Sequence, residues 1–233
     1  MKLAVIYGTS KKQRSTTYNL AQKAIEVLKE KDEVKEIWLP KDMNHFCQGC
    51  FQCFNGKREK CGAYAQIEPI RKIIDEAEVI IFAVPVYVYH VPGQVKALLD
   101  HFGWQWMVHQ INGKMFSKQA FIITTCAGTG TKSTVKDIKD NMDFWGVGKV
   151  YEFAESVRAA DWEGVKPDNK VKYEKEIVKI SNKIMSNKGK VKPRLKVKLN
   201  FYQFRMLQKK INLSEVDREH WDRQGYLGNK RPW

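Results

Sequence analysis

Five short strand-like segments, each followed by a loop and a stretch with helical spacing, constrain the fold of this chain more than any other feature. They cover residues 2–7, 34–39, 79–84, 120–125 and about 148–154. Segments that are apolar almost throughout, such as 79–84, are typical of strands buried on both faces of a parallel sheet. The stretches between them repeat apolar residues every three or four positions. We therefore predict an α/β fold with a doubly wound, five-stranded parallel sheet.

Three unusual loops follow the first, third and fourth predicted strands. Because ligands bind parallel sheets at the carboxyl ends of the strands, where the strand order reverses, we expect these loops to form a site. The first loop, residues 8–17, combines hydroxyls, lysines and the start of a predicted helix, which suits a phosphate monoester. It is neither a Walker loop nor a G-x-G-x-x-G turn, so a nucleoside triphosphate or a dinucleotide pyrophosphate is not indicated. Helix capping explains the hydroxyls equally well.

The other two loops provide the surroundings of a flat ring. Residues 85–93 offer backbone and aromatic groups, and residues 124–130 offer backbone N–H groups beside two glycines. Tyr87, Tyr89 and His90 are candidates to contact a substrate, and a structural role accounts for them equally well. No catalytic residue is assigned from the sequence.

Four of the five cysteines lie within fifteen residues, with the spacing C-x₂-C-x₂-C-x₇-C. Structural zinc normally takes two ligand pairs separated by a longer spacer, whereas a cubane cluster accepts three close thiolates and one more. We therefore predict Cys47, Cys50, Cys53 and Cys61 as ligands of an iron–sulfur cluster. The alternatives are a zinc site, a reduced cysteine-rich loop and a motif that no longer holds metal. A disulfide framework is not expected in a chain of this length.

The net charge of +15 is concentrated at the end of the chain. Residues 188–233 hold thirteen Lys/Arg against four Asp/Glu, a net of +9. Such a tail suits nucleic acid, anionic lipid or an acidic protein, but no nucleic-acid motif accompanies it, and a solvated basic face is the simpler interpretation. Phe201, Tyr202 and Phe204 in this tail are expected to cover the core or a partner subunit rather than lie on a membrane.

The expected compartment is the cytoplasm. No stretch approaches the roughly 20 apolar residues that a membrane span needs. The apolar run at the start of the sequence is too short for a signal peptide. Free cysteines are consistent with a reducing environment.

The first loop, the Pro85-Val86-Tyr87 turn and the compact cysteine motif, in this order, resemble the iron–sulfur flavoprotein branch of the flavodoxin-like NAD(P)H-dependent FMN reductases. The resemblance covers about residues 1–155. It implies a flavodoxin-like fold, a bound FMN, NAD(P)H as co-substrate and a [4Fe-4S] cluster on the cysteines. By position, it implies that the FMN phosphate is bound by Thr9, Lys11, Ser15, Thr16 and Thr17. The isoalloxazine ring would be lined by Pro85, Val86, Tyr87 and Val88. The polar edge of the ring would be contacted by Thr125, Gly128 and Gly130.

The sequence departs from the family's usual pattern in three ways; in that pattern the first loop reads Gly-Ser-Pro-Arg and then Ser-Asn-Thr. Lys11 replaces the arginine, which keeps the charge but loses the bidentate fork. Ser15 replaces the asparagine and keeps an oxygen acceptor. After the last cysteine, Ala65-Gln66 replaces a frequent acidic pair, which bears on the cysteine loop and not on the fold.

The resemblance implies an FMN-dependent oxidoreductase that takes electrons from NAD(P)H and passes them to an acceptor, by way of the cluster where one is bound. The alternatives are an electron-transfer module without NAD(P)H activity, and a cluster-free quinone, azo or nitro reductase. We expect a homodimer or homotetramer with a small-molecule or protein acceptor, and neither nucleic acid nor a membrane as partner. Residues 1–155 would form the FMN-binding domain, and residues 156–233 a helix and basic extension packed on the core or a partner subunit.

Overall fold

The computed structural model describes residues 1–29, 33–211 and 214–233. Its strands lie within two residues of the predicted bounds at each end; they are β1 (Leu3–Tyr7), β2 (Val34–Trp38), β3 (Val79–Ala83), β4 (Gln119–Cys126) and β5 (Lys149–Ser156). They form one parallel sheet in the order β2-β1-β3-β4-β5. The predicted flavodoxin-like, doubly wound fold is confirmed.

Seven α-helices lie in the described ranges: α1 (Thr16–Leu28), α2 (Tyr64–Glu76), α3 (Gly93–His101), α4 (Thr131–Trp145), α5 (Pro167–Ser186), α6 (Leu195–Lys210) and α7 (Glu215–Arg223). None of them is both long and apolar enough to cross a membrane.

Side chains alternate between the two faces of the sheet, as strand geometry requires. In β1, Val5 and Tyr7 face α1 and α5, whereas Ile6 faces the side covered by α2, α3 and α4. Because both faces are covered, β1, β3 and β4 are buried at every position. This burial is the physical reason for their almost continuous apolar sequences.

The residues after β5 pack on the core of their own chain. Tyr173 and Ile177 of α5 belong to the same apolar cluster as α1. Helices α6 and α7, with residues 224–233, form an outer layer that we call the C-terminal layer. Phe201 and Trp221 of this layer are fully buried against Phe116 and its neighbours. The layer therefore shares a small apolar core with Met107, Ile111 and Phe116.

The topology reverses between β1 and β3, because β2 lies on one side of β1 and β3 on the other. The loops that follow β1 and β3 therefore diverge at the carboxyl edge and leave a crevice between them. That crevice is the candidate site.

Candidate functional site

A cleft of about 180 Å³ lies at the carboxyl edge of the sheet, between the loops that follow β1, β3, β4 and β5. We call it the edge cleft. It brings together nine of the twelve residues predicted to bind the cofactor: Thr9, Lys11, Ser15, Thr16, Thr17, Pro85, Val86, Tyr87 and Thr125. Residues from three separate loops of the sequence thus meet where the topology requires.

One end of the edge cleft is the N-terminus of α1. Ser15 is the N-cap residue, and its Oγ accepts a hydrogen bond from the backbone N–H of Tyr18 at 3.3 Å. The first N–H groups of a helix have no partner within the helix, and they form the positive end of its dipole. No acidic residue lies in the first turn of α1. This end therefore attracts anions.

Three hydroxyls form a buried chain beside that helix end. Ser15 Oγ donates to Thr17 Oγ1 at 3.3 Å, and Thr17 Oγ1 lies 3.3 Å from Thr125 Oγ1 on β4. Lys11 lines the same cleft with an exposed side chain, and its backbone N–H donates to Thr9 Oγ1 at 3.3 Å. Hydroxyls, helix N–H groups and an ammonium group together fit a phosphate monoester.

The wall opposite this end is formed by the loop after β3. The backbone N–H of Val86 donates to the Thr125 carbonyl at 3.1 Å, which fixes this loop to the end of β4. Tyr87 and His90 close a tight turn with two backbone hydrogen bonds of 2.9 and 3.1 Å. His90 Nδ1 also lies 2.9 Å from Asp137 Oδ2 on α4. The wall is therefore held from two sides.

Three of the predicted cofactor residues do not line the edge cleft. The side chain of Val88 is 93% exposed at the tip of the turn. Gly128 is exposed on the loop after β4. Gly130 has a φ of +106°, and a Cβ there would come within 2.8 Å of the Tyr89 Cα. Gly130 thus allows two loops to pack closely, and a ligand contact from these three residues stays a prediction.

Five residues that line the edge cleft are not among the twelve predicted cofactor residues: Cys126 and Ala127, which lie in the predicted loop 124–130, and Val157, Ala159 and Ala160. Three of them belong to the segment after β5, beyond the predicted boundary at residue 155. Its small side chains carry no chemical signal. The predicted parallel topology could have placed this segment at the site, since the loop after β5 must lie at the same edge of the sheet as the other loops.

The four cysteines of the predicted metal site all line one cavity of about 410 Å³. Cys47 and Cys50 are exposed, and Cys53 and Cys61 are half-buried. Burial raises the pKa of the Cys53 thiol. Within residues 1–29, 33–211 and 214–233, no three His, Cys, Asp or Glu side chains are arranged to hold a metal ion. The loop in this arrangement does not present a ligand set, and the predicted cluster is not supported.

Contacts from distant residues determine the conformation of the cysteine loop, which we define as residues 47–61. Gln110 Nε2 donates to the carbonyls of Cys53 and Phe54 at 2.9 and 3.1 Å. The Phe54 ring meets the His109 ring edge-on at 4.7 Å, and the Arg58 guanidinium lies 4.3 Å from the centre of the Trp104 ring. These partners lie more than forty positions away from the loop residues that they contact, so the spacing of the cysteines alone does not determine the conformation of the loop.

Comparison with known proteins agrees with this geometry. A family model described as NADPH-dependent FMN reductase matches residues 1–161. An iron–sulfur flavoprotein of Archaeoglobus fulgidus is 24% identical over 100 residues, which are 43% of this chain and 44% of that protein. The match thus spans less than half the length of this relative.

Solved structures share the fold at low identity. An FMN-dependent NADH-azoreductase from Bacillus anthracis, in complex with FMN, superposes with a TM-score of 0.61 at 14% identity, covering 79% of this chain and 99% of that one. FerB, a flavoenzyme NAD(P)H:(acceptor) oxidoreductase from Paracoccus denitrificans, superposes with a TM-score of 0.52 at 14% identity, covering 79% and 97%. At these identities the likeness shows the fold alone.

Proposed function

The chain belongs to the NADPH-dependent FMN reductase family, and on that premise we propose that it is an FMN-dependent oxidoreductase that takes electrons from NAD(P)H and passes them to an acceptor. The observation that carries the proposal is the edge cleft, where an anion-binding helix end and a fixed apolar wall face each other. Its position at the reversal of strand order is where this class of fold binds its ligands.

We assign the phosphate of FMN to the α1 end of the cleft. When FMN binds, the Ser15 hydroxyl would turn from Thr17 toward the phosphate and donate to it, together with the hydroxyls of Thr16 and Thr17 and the N–H groups of the first helical turn. Lys11 would supply a compensating charge. Lysine is a single point charge without the planar fork of arginine. The helix end and the hydroxyls would therefore provide most of the directional contacts.

The ring of FMN would lie along Pro85, Val86 and Tyr87. FMN, when bound, supplies the hydride and single-electron chemistry of the reaction. The protein's part is to bind and orient the ring, and the hydrogen bond between the Val86 N–H and the Thr125 carbonyl keeps the wall in place. No general base is needed for such a reaction, so no catalytic side chain is assigned.

The proposal has two versions, which differ in whether the cysteine loop takes part in electron transfer. The cluster-free version, in which electrons pass to a small molecule such as a quinone or an azo or nitro compound, agrees with a cysteine loop that presents no ligand set. The name of the Bacillus anthracis neighbour is consistent with it. In this version the cysteines take no part in electron transfer.

A version with an iron–sulfur cluster is favoured by one observation, namely that all four thiols of the motif line one cavity. Iron and acid-labile sulfide, assayed on protein purified without oxygen, distinguish the two versions. A [4Fe-4S] cluster requires about four of each per chain, whereas the cluster-free version predicts less than about one. Either result leaves the assignment of FMN intact.

We also propose that the chain forms a homodimer or homotetramer. The exposed turn beside the edge cleft supports this, because Tyr87, Val88 and Tyr89 are 44, 93 and 60% exposed. Contiguous apolar groups on a surface mark an interaction site. Light scattering after gel filtration measures the oligomeric state, and a monomer would overturn this part of the proposal.

The test of the proposed activity is steady-state oxidation of NADH and NADPH by the FMN-loaded protein with benzoquinone as acceptor. We expect turnover that rises with the fraction of chains that hold FMN. Protein that holds FMN but oxidises neither nucleotide would contradict the proposed activity and would favour an electron-transfer module.

A further inference from the structure

A second cleft, of about 860 Å³, lies between the cysteine loop, the end of α2, the segment 104–114 and the C-terminal layer. We call it the basic cleft. It shares Arg58, Arg71 and Trp104 with the cysteine cavity, and it shares no lining residue with the edge cleft. Much of it is built by residues beyond 161, where the family match ends.

The basic cleft carries a large excess of positive charge. Among the described residues, six cationic side chains line it, against the single carboxylate side chain of Asp75; they are Arg58, Arg71, Lys114, Arg223, Lys230 and Arg231. Arg71 forms ion pairs with Asp75 and Glu68. In the part of the chain that the structure describes, none of the other five has a carboxylate within ion-pair distance.

Two of these cations, Arg58 and Arg223, come from distant parts of the sequence and lie close enough to His220 to affect its pKa. Its Nε2 donates to the Ile111 carbonyl at 2.7 Å, so its position is fixed. Burial lowers the pKa of His220, and the positive charges of Arg223 and Arg58 lower it as well. An arginine of the cysteine loop and an arginine of α7 thus act on the same imidazole, and the carboxylate of Asp217 opposes their effect on its pKa.

Aromatic rings form part of the walls. Trp104 and Tyr226 are buried, with 7 and 4% exposure, and Trp233 is 37% exposed. The Trp233 ring stacks on Phe116 with 5.6 Å between ring centres. The walls are therefore anchored to the apolar core of the C-terminal layer. A basic surface that only contacts solvent requires no such aromatic walls.

We propose that the basic cleft binds a phosphorylated aromatic small molecule of the nucleotide class. Guanidinium groups match phosphate geometry, and the half-exposed Trp233 ring provides a stacking surface for a base. The volume lies within the range of small-molecule sites. This ligand would bind beside the cysteine loop and independently of the edge cleft, so the inference does not rest on the proposed function.

The probe is AMP, titrated by calorimetry into the full chain in the presence of saturating FMN, which keeps AMP out of the edge cleft. We expect one AMP per chain and no heat with adenosine, which lacks the phosphate. Replacing Arg223 and Lys230 together with alanine should weaken AMP binding by at least about tenfold, since two charge-assisted contacts are lost. Arg58→Gln, in the cysteine loop, should weaken it as well.

The matched control is the double variant Lys209→Ala/Lys210→Ala, which removes two exposed charges of α6 that do not line the cleft. It should bind AMP as the unmodified chain does. Circular dichroism and the thermal midpoint verify that each variant is folded. Absence of AMP binding, or equal weakening in the control, would overturn the proposal.

Discussion

Val88 and Tyr89 occupy a strained backbone conformation, with φ values of +47° and +68°. This left-handed region costs an L-residue about 1–2 kcal/mol, and a β-branched residue is especially disfavoured there. Two such residues in succession form the tip of the turn that Tyr87 and His90 close. The strain lies beside the edge cleft, in the segment that the resemblance assigns to the ring of FMN.

Val88→Gly should raise the free energy of unfolding by roughly 0.5–1 kcal/mol, after allowance for the larger entropy of glycine in the unfolded chain. Little packing is lost, because the Val88 side chain is 93% exposed. Urea denaturation measures the change. The control is Val171→Gly, at a half-exposed position in α5, which should lower stability by about 0.5 kcal/mol. A loss of stability in both variants would show that the turn is not strained.

Lys118 is a buried lysine that links β4 to the end of α2. Its Nζ donates to the carbonyl of Asp75 at 2.9 Å and to the carbonyl of Ala77. Burial lowers its pKa from 10.5 to about 8. The folded chain therefore releases this proton at a lower pH than the unfolded chain does. The cost of the buried charge is present below about pH 8 and is relieved as the pH rises toward 10.5.

Comparison with Lys118→Met isolates this contribution. The free energy of unfolding of the unmodified chain, minus that of Lys118→Met, should increase as the pH is raised from 8 to 10.5. Urea denaturation at several pH values within this window provides the measurement. A difference that stays constant over the window would mean that Lys118 titrates as an exposed lysine does.

At the scale of elements, two helices begin with a capping serine, and only one of them borders the edge cleft. Ser15 caps α1, and Ser214 caps α7 by accepting from the Asp217 N–H at 3.3 Å. Ser15→Ala and Ser214→Ala should each lower stability by about 1 kcal/mol. Only Ser15→Ala should also weaken FMN binding, by roughly tenfold for one charge-assisted hydrogen bond.

Fluorescence titration of FMN into the two variants separates capping from ligand binding. Equal affinity for FMN in both would contradict the assignment of the phosphate to the start of α1.

The C-terminal layer depends on Phe201 of α6, which is fully buried among Trp221, Tyr226 and Phe116. Phe201→Ala should lower the free energy of unfolding by about 3–5 kcal/mol, the usual cost of truncating a core phenylalanine. Leu199→Ala, on the same helix at 58% exposure, should cost less than about 0.5 kcal/mol. Similar losses in urea denaturation would show that the layer is not anchored at Phe201.

The strands were largely predictable because burial on both faces of the sheet requires an almost continuous apolar sequence. Residues 79–84 show it most clearly, and the predicted strand there exceeds β3 by one residue. The segment 190–199 has an alternating basic pattern, yet α6 begins at Leu195. Here the burial of Val197 and Phe201, four positions apart, determines the conformation, and it depends on packing against Phe116.

At the scale of the whole molecule, the C-terminal layer fixes the segment that lies beside the cysteine loop. Asp217 Oδ2 lies 2.8 Å from His109 Nδ1, and Trp221 Nε1 donates to the His109 carbonyl at 2.9 Å. Gln110, the next residue, bonds the cysteine loop. The position of the cysteines is thus set partly by residues more than a hundred positions away.

This long-range dependence explains which parts of the sites the sequence could and could not predict. The residues of the edge cleft follow strands whose order the topology fixes, so nine of the twelve predicted positions meet there. The basic excess of the tail was visible in the sequence, but the meeting of Arg58 and Arg223 in one cleft was not, since it depends on how the C-terminal layer packs beside the cysteine loop.

A titration with two flavins shows whether the edge cleft binds FMN through its phosphate. The protein, stripped of flavin, is titrated with FMN and with riboflavin, and quenching of flavin fluorescence reports binding. We predict one FMN per chain and an affinity for riboflavin at least about a hundredfold weaker, since riboflavin lacks the phosphate and forfeits several charge-assisted hydrogen bonds. Equal affinity for the two flavins, or no binding of FMN, would contradict the assignment of FMN and its phosphate to the edge cleft.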